Sequence, residues 1–174
     1  MRKDLNEKSQ SEWVFLKRLP KTVYMGIDCS SKAIHAVLID ANDKVIGYGK
    51  WGSNAKDFST RHIEISRKFS HDLSRITNRD LKVAIEAAIY IQNAASTIAI
   101  ASVVASARVL LDQHQIDSVL CDNRHWKKLI IGKGNCNKEM IREYTITKWG
   151  DIFAEQDWCD ASCLALYIKT STGE

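Results

Sequence analysis

Two apolar runs in this chain each end in a single carboxylate: Val23-Tyr24-Met25-Gly26-Ile27-Asp28 and Leu81-Lys82-Val83-Ala84-Ile85-Glu86. Runs of this length and composition read as buried strands. An acid at the end of a buried strand costs desolvation and repels any like neighbour. A third acidic site, Asp157-Trp158-Cys159-Asp160, opens the last helical segment. Three such sites, far apart in the chain, are poorly explained as packing. If the fold gathers them, a divalent metal ion is the natural reason, and the chain reads as a candidate nuclease.

The rest of the pattern says what fold would do the gathering. Thr22–Asp28, Ala33–Asp40 and Val45–Trp51 are strands with short connections, the turn signal Ala41-Asn42-Asp43-Lys44 joining the last two; this is an antiparallel meander. A helix follows over about 55–77, with Ile65, Phe69, Leu73 and Ile76 recurring at helical spacing. Leu81–Glu86 is a fourth strand, Tyr90–Gln113 a long helix and Ile116–Cys121 a fifth strand, a spacing that implies a right-handed crossover and parallel pairing. Helices follow near 138–150 and 158–170. The expected class is α/β: a mixed five-stranded sheet, a three-stranded antiparallel meander plus two parallel strands, flanked by helices. That layout also describes the ribonuclease H-like fold, in which acidic residues gather near the centre of the sheet.

At 174 residues the chain suits one domain. Residues 1–20 read as a polar, basic extension ahead of a body spanning 21–174. Within the extension, Trp13-Val14-Phe15-Leu16 either docks on the body or helps bind DNA, and the sequence does not choose. The net charge of +4 is mild, but its placement is telling. Arg124, Lys127, Lys128, Lys133, Lys138, Arg142 and Lys148 stand against only Glu139 and Glu143. A basic strip beside a carboxylate cluster suits a phosphate backbone; the plainer alternative is a solvated helix face.

The five cysteines form no C-x-x-C pair and no zinc spacing with histidine, and all five read as reduced thiols, with Cys29 and Cys121 in the core. The N-terminus carries no signal-peptide pattern, and a cytoplasmic, DNA-associated protein is expected. Ala87–Ala107 has no charged residue and is long enough to span a bilayer. Its polar residues and its alanine content favour a buried helix instead, so no membrane partner is expected. The long helix is apolar on almost every side, and a homodimer interface near 90–112 would cover its second face, with Ala94, Ala95, Ala99, Ala101 and Ala105 permitting close approach. A helix sandwiched within the monomer is the alternative.

These residues carry a resemblance. Met25-Gly-Ile-Asp28-Cys-Ser-Ser, Val83-Ala-Ile-Glu86, Arg124-His-Trp-Lys127 through Lys138, and Asp157-Trp-Cys-Asp160-Ala resemble, in order, the acidic strand, second acid, lysine-bearing segment and paired aspartates of the RuvC family of Holliday-junction resolvases. The resemblance covers roughly residues 22–170. One departure is clear: many bacterial members follow the first aspartate with Pro-Gly-Ser, where this chain has Cys29-Ser30-Ser31.

The resemblance implies a Mg²⁺-dependent endonuclease, with Mn²⁺ substituting and two ions per site. Asp28, Glu86 and Asp160 would be the main ligands, with Asp157 completing the set one turn earlier on the same helix face. Lys138 would place charge near the scissile phosphate and Lys127 would hold the backbone. Arg124, Lys128 and Lys133 would make general backbone contacts, and Ser30, Ser31 and Tyr90 are candidate DNA contacts. The expected substrate is a four-way DNA junction bound by a homodimer. Two rivals stay open: another ribonuclease H-like nuclease acting on RNA–DNA hybrid or flap DNA, and a junction-binding protein with an inactive site. His35, lying in a strand, reads as structural, and Asp40 and Asp43 read as turn residues.

Overall fold

In the computed structural model, residues 12–89 and 93–173 are described. The apolar runs become strands β1 (Trp13–Phe15), β2 (Thr22–Cys29), β3 (Ala33–Ile39), β4 (Val45–Gly52), β5 (Asp80–Glu86) and β6 (Ser118–Cys121). The helices are α1 (Phe58–Leu73), α2 (Ala94–Gln113), α3 (Asn123–Ile131), α4 (Lys138–Trp149) and α5 (Gln156–Thr172). One sheet results, in the order β1-β4-β3-β2-β5-β6. β2, β3 and β4 form the expected antiparallel meander, and β5 runs parallel to both β2 and β6.

The expected five strands are therefore joined by a sixth. β1 comes from the segment read as an extension and pairs antiparallel with β4, Trp13 opposite Gly49. Its anchor is chemical. Trp13 is 6% exposed and meets the Trp51 ring edge-on at 4.8 Å. The Glu12 backbone N–H donates to Asp72 Oδ2 at 2.7 Å, and Trp51 Nε1 donates to the same oxygen at 2.9 Å. Of the two roles open to Trp13-Val14-Phe15-Leu16, docking on the body is what Trp13 does.

Strand alternation sorts the core into two faces. Val23, Met25, Ile27, Leu38, Trp51 and Ile85 pack in one cluster with Ile65, Phe69 and Leu73 of α1 and Val103, Val104 and Leu111 of α2. Tyr24, Val37, Ile39 and Ala84 pack on the opposite face with Leu164, Ala165 and Ile168 of α5. Gly26 sets how closely α5 lies: a Cβ built there would stand 2.0 Å from the Ala161 carbonyl oxygen and 2.3 Å from the Ala165 nitrogen. No side chain other than hydrogen fits between β2 and α5.

Two expectations need correction. The segment 123–131, read only as part of a basic strip, is the helix α3: Asp122 caps it by accepting from the Arg124 and His125 backbone N–H groups, and Gly132, at φ +89°, ends it. Nor is α2 a buried helix within the monomer. It is long and apolar enough to cross a membrane, but it packs in the fold through Val103, Val104, Ala107 and Leu111. Its other side is open, with Ile98 64% and Val109 55% exposed. An apolar helix needs cover on every side, and the described residues cover one. Cys29 and Cys121 are buried, as expected, and so are the other three cysteines; all five are free.

Candidate metal centre

The acids meet because of register and helix placement. Ile27 of β2 pairs with Ile85 of β5, so Asp28 and Glu86 leave the adjacent parallel strands at the same level and on the same face. Both follow, at alternate positions, residues that pack against α5: Gly26 precedes Asp28, and Ala84 precedes Glu86. α5 then starts at Gln156, so Asp157 and Asp160 lie in its first turns. The contact at Gly26 brings that end of α5 down to the strand ends.

Electrostatics records the meeting. Burial pushes the Asp28 carboxyl well above the usual range, and Glu86, Asp160 and Asp157 push it further in that order; a hydrogen bond from the Cys29 backbone opposes them. Asp160 is raised to about 6, first by desolvation, with Glu86 and Asp157 adding, while Gln156 and Lys127 act to lower it. Each carboxylate raises the cost of charge on the others. A divalent cation bound among these acids would relieve that repulsion.

The side chains do not yet form a cage. Among the described residues, no three of His, Cys, Asp or Glu stand close enough together to hold one ion. Local donors hold the acids apart. Glu86 accepts from Asn123 Nδ2 at 2.6 Å on one oxygen and from Trp126 Nε1 at 2.9 Å on the other. Asp160 Oδ1 accepts from Gln156 Nε2 at 2.9 Å. The donor set, all carboxylate and mutually repelling, fits a hard divalent ion, and closing on one would require side-chain rotation.

His35, read from the sequence as structural, lies beside these acids: it is the cross-strand partner of Asp28 and is 2% exposed. Its Nε2 is 3.2 Å from Glu155 Oε2 and its Nδ1 is 3.4 Å from Asp157 Oδ2. Glu155 in turn accepts from Lys50 Nζ at 2.7 and 2.6 Å. Desolvation holds the His35 pKa below its usual value against the upward pull of Asp157 and Glu155. The sequence did hold a signal: β2 and β3 are joined by a short turn, so a polar residue soon after it falls opposite one just before. Glu155, two residues from Asp157, and the donors Asn123, Trp126 and Gln156 carried no comparable mark.

The basic strip is divided. Arg142 is paired with Asp151 at 2.9 Å and Lys148 with Asp43 at 2.8 Å, so these two are committed to structure. Asp43 also bonds Lys169, and Asp40 accepts from the Asn42 and Lys44 backbone in the expected turn. Lys127, on α3, is the cation that acts on Asp160. Arg124, Lys128, Lys133 and Lys138 are exposed, Lys138 as the first residue of α4. The Ser30 hydroxyl is used in the β2–β3 turn, accepting from the Lys32 and Ala33 N–H groups, and the Ser31 carbonyl accepts from Arg61 Nε. Tyr90 lies outside the described residues.

No family model matches the chain, and no curated protein matches it. Solved structures do. RuvC from Thermus thermophilus in complex with a Holliday junction substrate superposes with a TM-score of 0.73 at 15% identity, covering 87% of this chain and 96% of that one. A second Thermus thermophilus RuvC structure gives 0.71 at 12% identity, with the same coverage. The mixed sheet, the flanking helices and this overlap together make the chain RuvC-like in fold, within the ribonuclease H-like class.

Proposed function

We propose that this chain is a divalent-metal-dependent endonuclease that resolves four-way DNA junctions as a homodimer. The observation that carries the reading is the meeting of carboxylates from β2, β5 and α5, with mutual repulsion at Asp28 and Asp160. The fold, like that of a RuvC solved with a Holliday junction substrate, supports it.

Asp28, Glu86, Asp157 and Asp160 would hold Mg²⁺, or Mn²⁺ in its place, at two ions per site. When bound, the ions would supply an activated water and stabilise charge on the phosphate and the leaving oxygen. The chain's own residues do the rest. Asn123 and Trp126 hold Glu86 at the mouth of β5, and Gln156 holds Asp160 until a cation competes for it. Lys127 and Lys138 carry positive charge to the phosphate, and Arg124, Lys128 and Lys133 bind backbone. Because these contacts read shape and charge, base readout is limited.

The exposed stripe of α2, running through Ala94, Ile98, Ala101, Ala105 and Val109, is the proposed dimer face. A two-fold axis through it would set two sites on strands of like polarity, which matches the symmetry of a four-way junction. Purified protein assayed with Mg²⁺ on junction, flap, RNA–DNA hybrid and duplex tests the reading: paired nicks in the junction are expected, and dominant hybrid cleavage would reject it. Asp160→Asn separates a nuclease from an inactive junction binder, since binding should persist while cleavage is lost.

A further inference from the structure

We propose that His35 is a nitrogen ligand of the ion held at Asp157, so that this position takes a nitrogen-tolerant divalent cation such as Mn²⁺ in preference to Mg²⁺. The proposal rests on the metal-nuclease reading above and deepens it.

His35 is 2% exposed, yet its Nδ1 is buried without a hydrogen-bond partner among the described residues. The tautomer follows from the neighbours. Nε2 faces Glu155, a carboxylate that already takes both its Lys50 bonds as an acceptor. A carboxylate accepts only, and of the two ring nitrogens only Nε2 meets its carboxylate in hydrogen-bond geometry, so the ring proton belongs on Nε2. Nδ1 then presents a lone pair, and what it faces at 3.4 Å is the Asp157 carboxylate. Two lone-pair donors turned toward each other repel unless a cation lies between them.

The separation is right for that. Two ligands of one ion, at metal–ligand distances of about 2.0–2.2 Å and angles between octahedral and tetrahedral, stand about 3.0–3.5 Å apart. The surroundings have the form that ligating histidines take, in which the second ring nitrogen donates to a carboxylate that fixes tautomer and orientation. Here the sequence of groups is Lys50, Glu155, His35. Trp158 packs edge-on against the imidazole at 5.7 Å and 86°, limiting its rotation. Asp28 is the cross-strand partner of His35, and it would join as a third donor only by the side-chain rotation that the carboxylates need in any case. Glu155 stands at the N-cap of α5 without making a capping bond; its carboxylate is spent on Lys50 and His35 instead.

A nitrogen donor changes the selectivity of the site. Mg²⁺ binds through oxygen and keeps its waters, whereas imidazole suits later divalent ions.

The test uses the full chain loaded with Mn²⁺ in the absence of DNA. Pulsed electron paramagnetic resonance should show a ¹⁴N coupling to Mn²⁺ that becomes a ¹⁵N coupling when histidine is labelled. The coupling should vanish in His35→Gln, whose amide keeps a donor toward Glu155. Titration should show Mn²⁺ affinity falling about 10–100-fold in that variant, with Mg²⁺ affinity falling much less. Bound Mn²⁺ with no nitrogen coupling in the unmodified chain overturns the proposal, whatever the variant does. So does a coupling that survives in His35→Gln. If Mn²⁺ fails to bind the unmodified chain, or binds Asp28→Asn equally well, the metal-nuclease reading itself falls, an outcome distinct from the loss of the nitrogen ligand alone.

Discussion

Two aspartates in this molecule, Asp72 buried on a helix and Asp28 partly buried at a strand end, have opposite surroundings. Asp72, on α1, is 1% exposed and ringed by donors: Trp51 Nε1 and the Glu12 N–H on one oxygen, His71 and Arg75 on the other. Asp28, at the end of β2, is ringed by Glu86, Asp160 and Asp157, with the Cys29 backbone as its one opposing hydrogen bond. Asp72 binds β1 to the body and needs nothing more. Asp28 repels its neighbours, which is the surrounding a bound cation would relieve. Burial alone does not separate a structural acid from a functional one; the sign of what surrounds it does.

The comparison can be broken at either aspartate. The largest expected effect is on catalysis: Asp28→Asn should lower Mg²⁺-dependent junction cleavage on the order of a thousand-fold, with junction binding retained in a gel-shift assay. Asp72→Ala should act on stability instead. It orphans the Trp51 indole and the Glu12 N–H, and urea denaturation should show a loss of about 2–4 kcal/mol while each folded molecule still cleaves. A loss of cleavage per folded Asp72→Ala molecule would blur the distinction.

Metal addition sharpens it. Mn²⁺ at about 100 times its dissociation constant should stabilise the protein by about 2.7 kcal/mol. A thermal-melt series should find the same gain in Asp72→Ala and a much smaller one in Asp28→Asn.

The smallest effect is pH dependence in metal-free protein. Asp160 in the folded chain is raised from the ordinary 3.8 to about 6, and Asp28 is raised well above it too. The folded state therefore holds these protons more tightly than the unfolded state. This contribution is most favourable below about pH 4 and is lost as pH rises through about 6 and beyond. For half-buried Asp160 the loss is on the order of 2 kcal/mol. Asp160→Asn should flatten that part of the stability profile, read from denaturation midpoints between pH 4 and 7.

Much of this was legible from local pattern. Apolar runs of strand length, the turn at Asp40–Lys44 and the stripe Ile65, Phe69, Leu73 each specify an element without reference to the rest of the chain. The carboxylates were legible because an acid ending an apolar run contradicts its own neighbourhood. α3 was missed because nine residues give its apolar side too few repeats to stand out from the charge around it. β1 was undecided because three residues carry too little alternation to announce a strand, and its partner lies over thirty residues away in β4. The place of His35 opposite Asp28 was not read because a lone histidine marks its neighbour only once the short β2–β3 turn is used to set the register.

By itself, the sequence determined which residues are strand, helix and turn over most of the chain, and that acids end two strands and open the last helix. Hydrophobic periodicity and side-chain type are local properties, and they survive without coordinates. Only the tertiary structure decided that Gly26 lets α5 close on β2, that Asp28 faces His35 across the strands, that Arg142 and Lys148 are committed to ion pairs, and that the described residues leave one side of α2 open. Those are distances between residues far apart in the chain, set by packing and register. Two lone carboxylates ending two strands became a candidate site only when the sheet and one helix brought them within reach of each other.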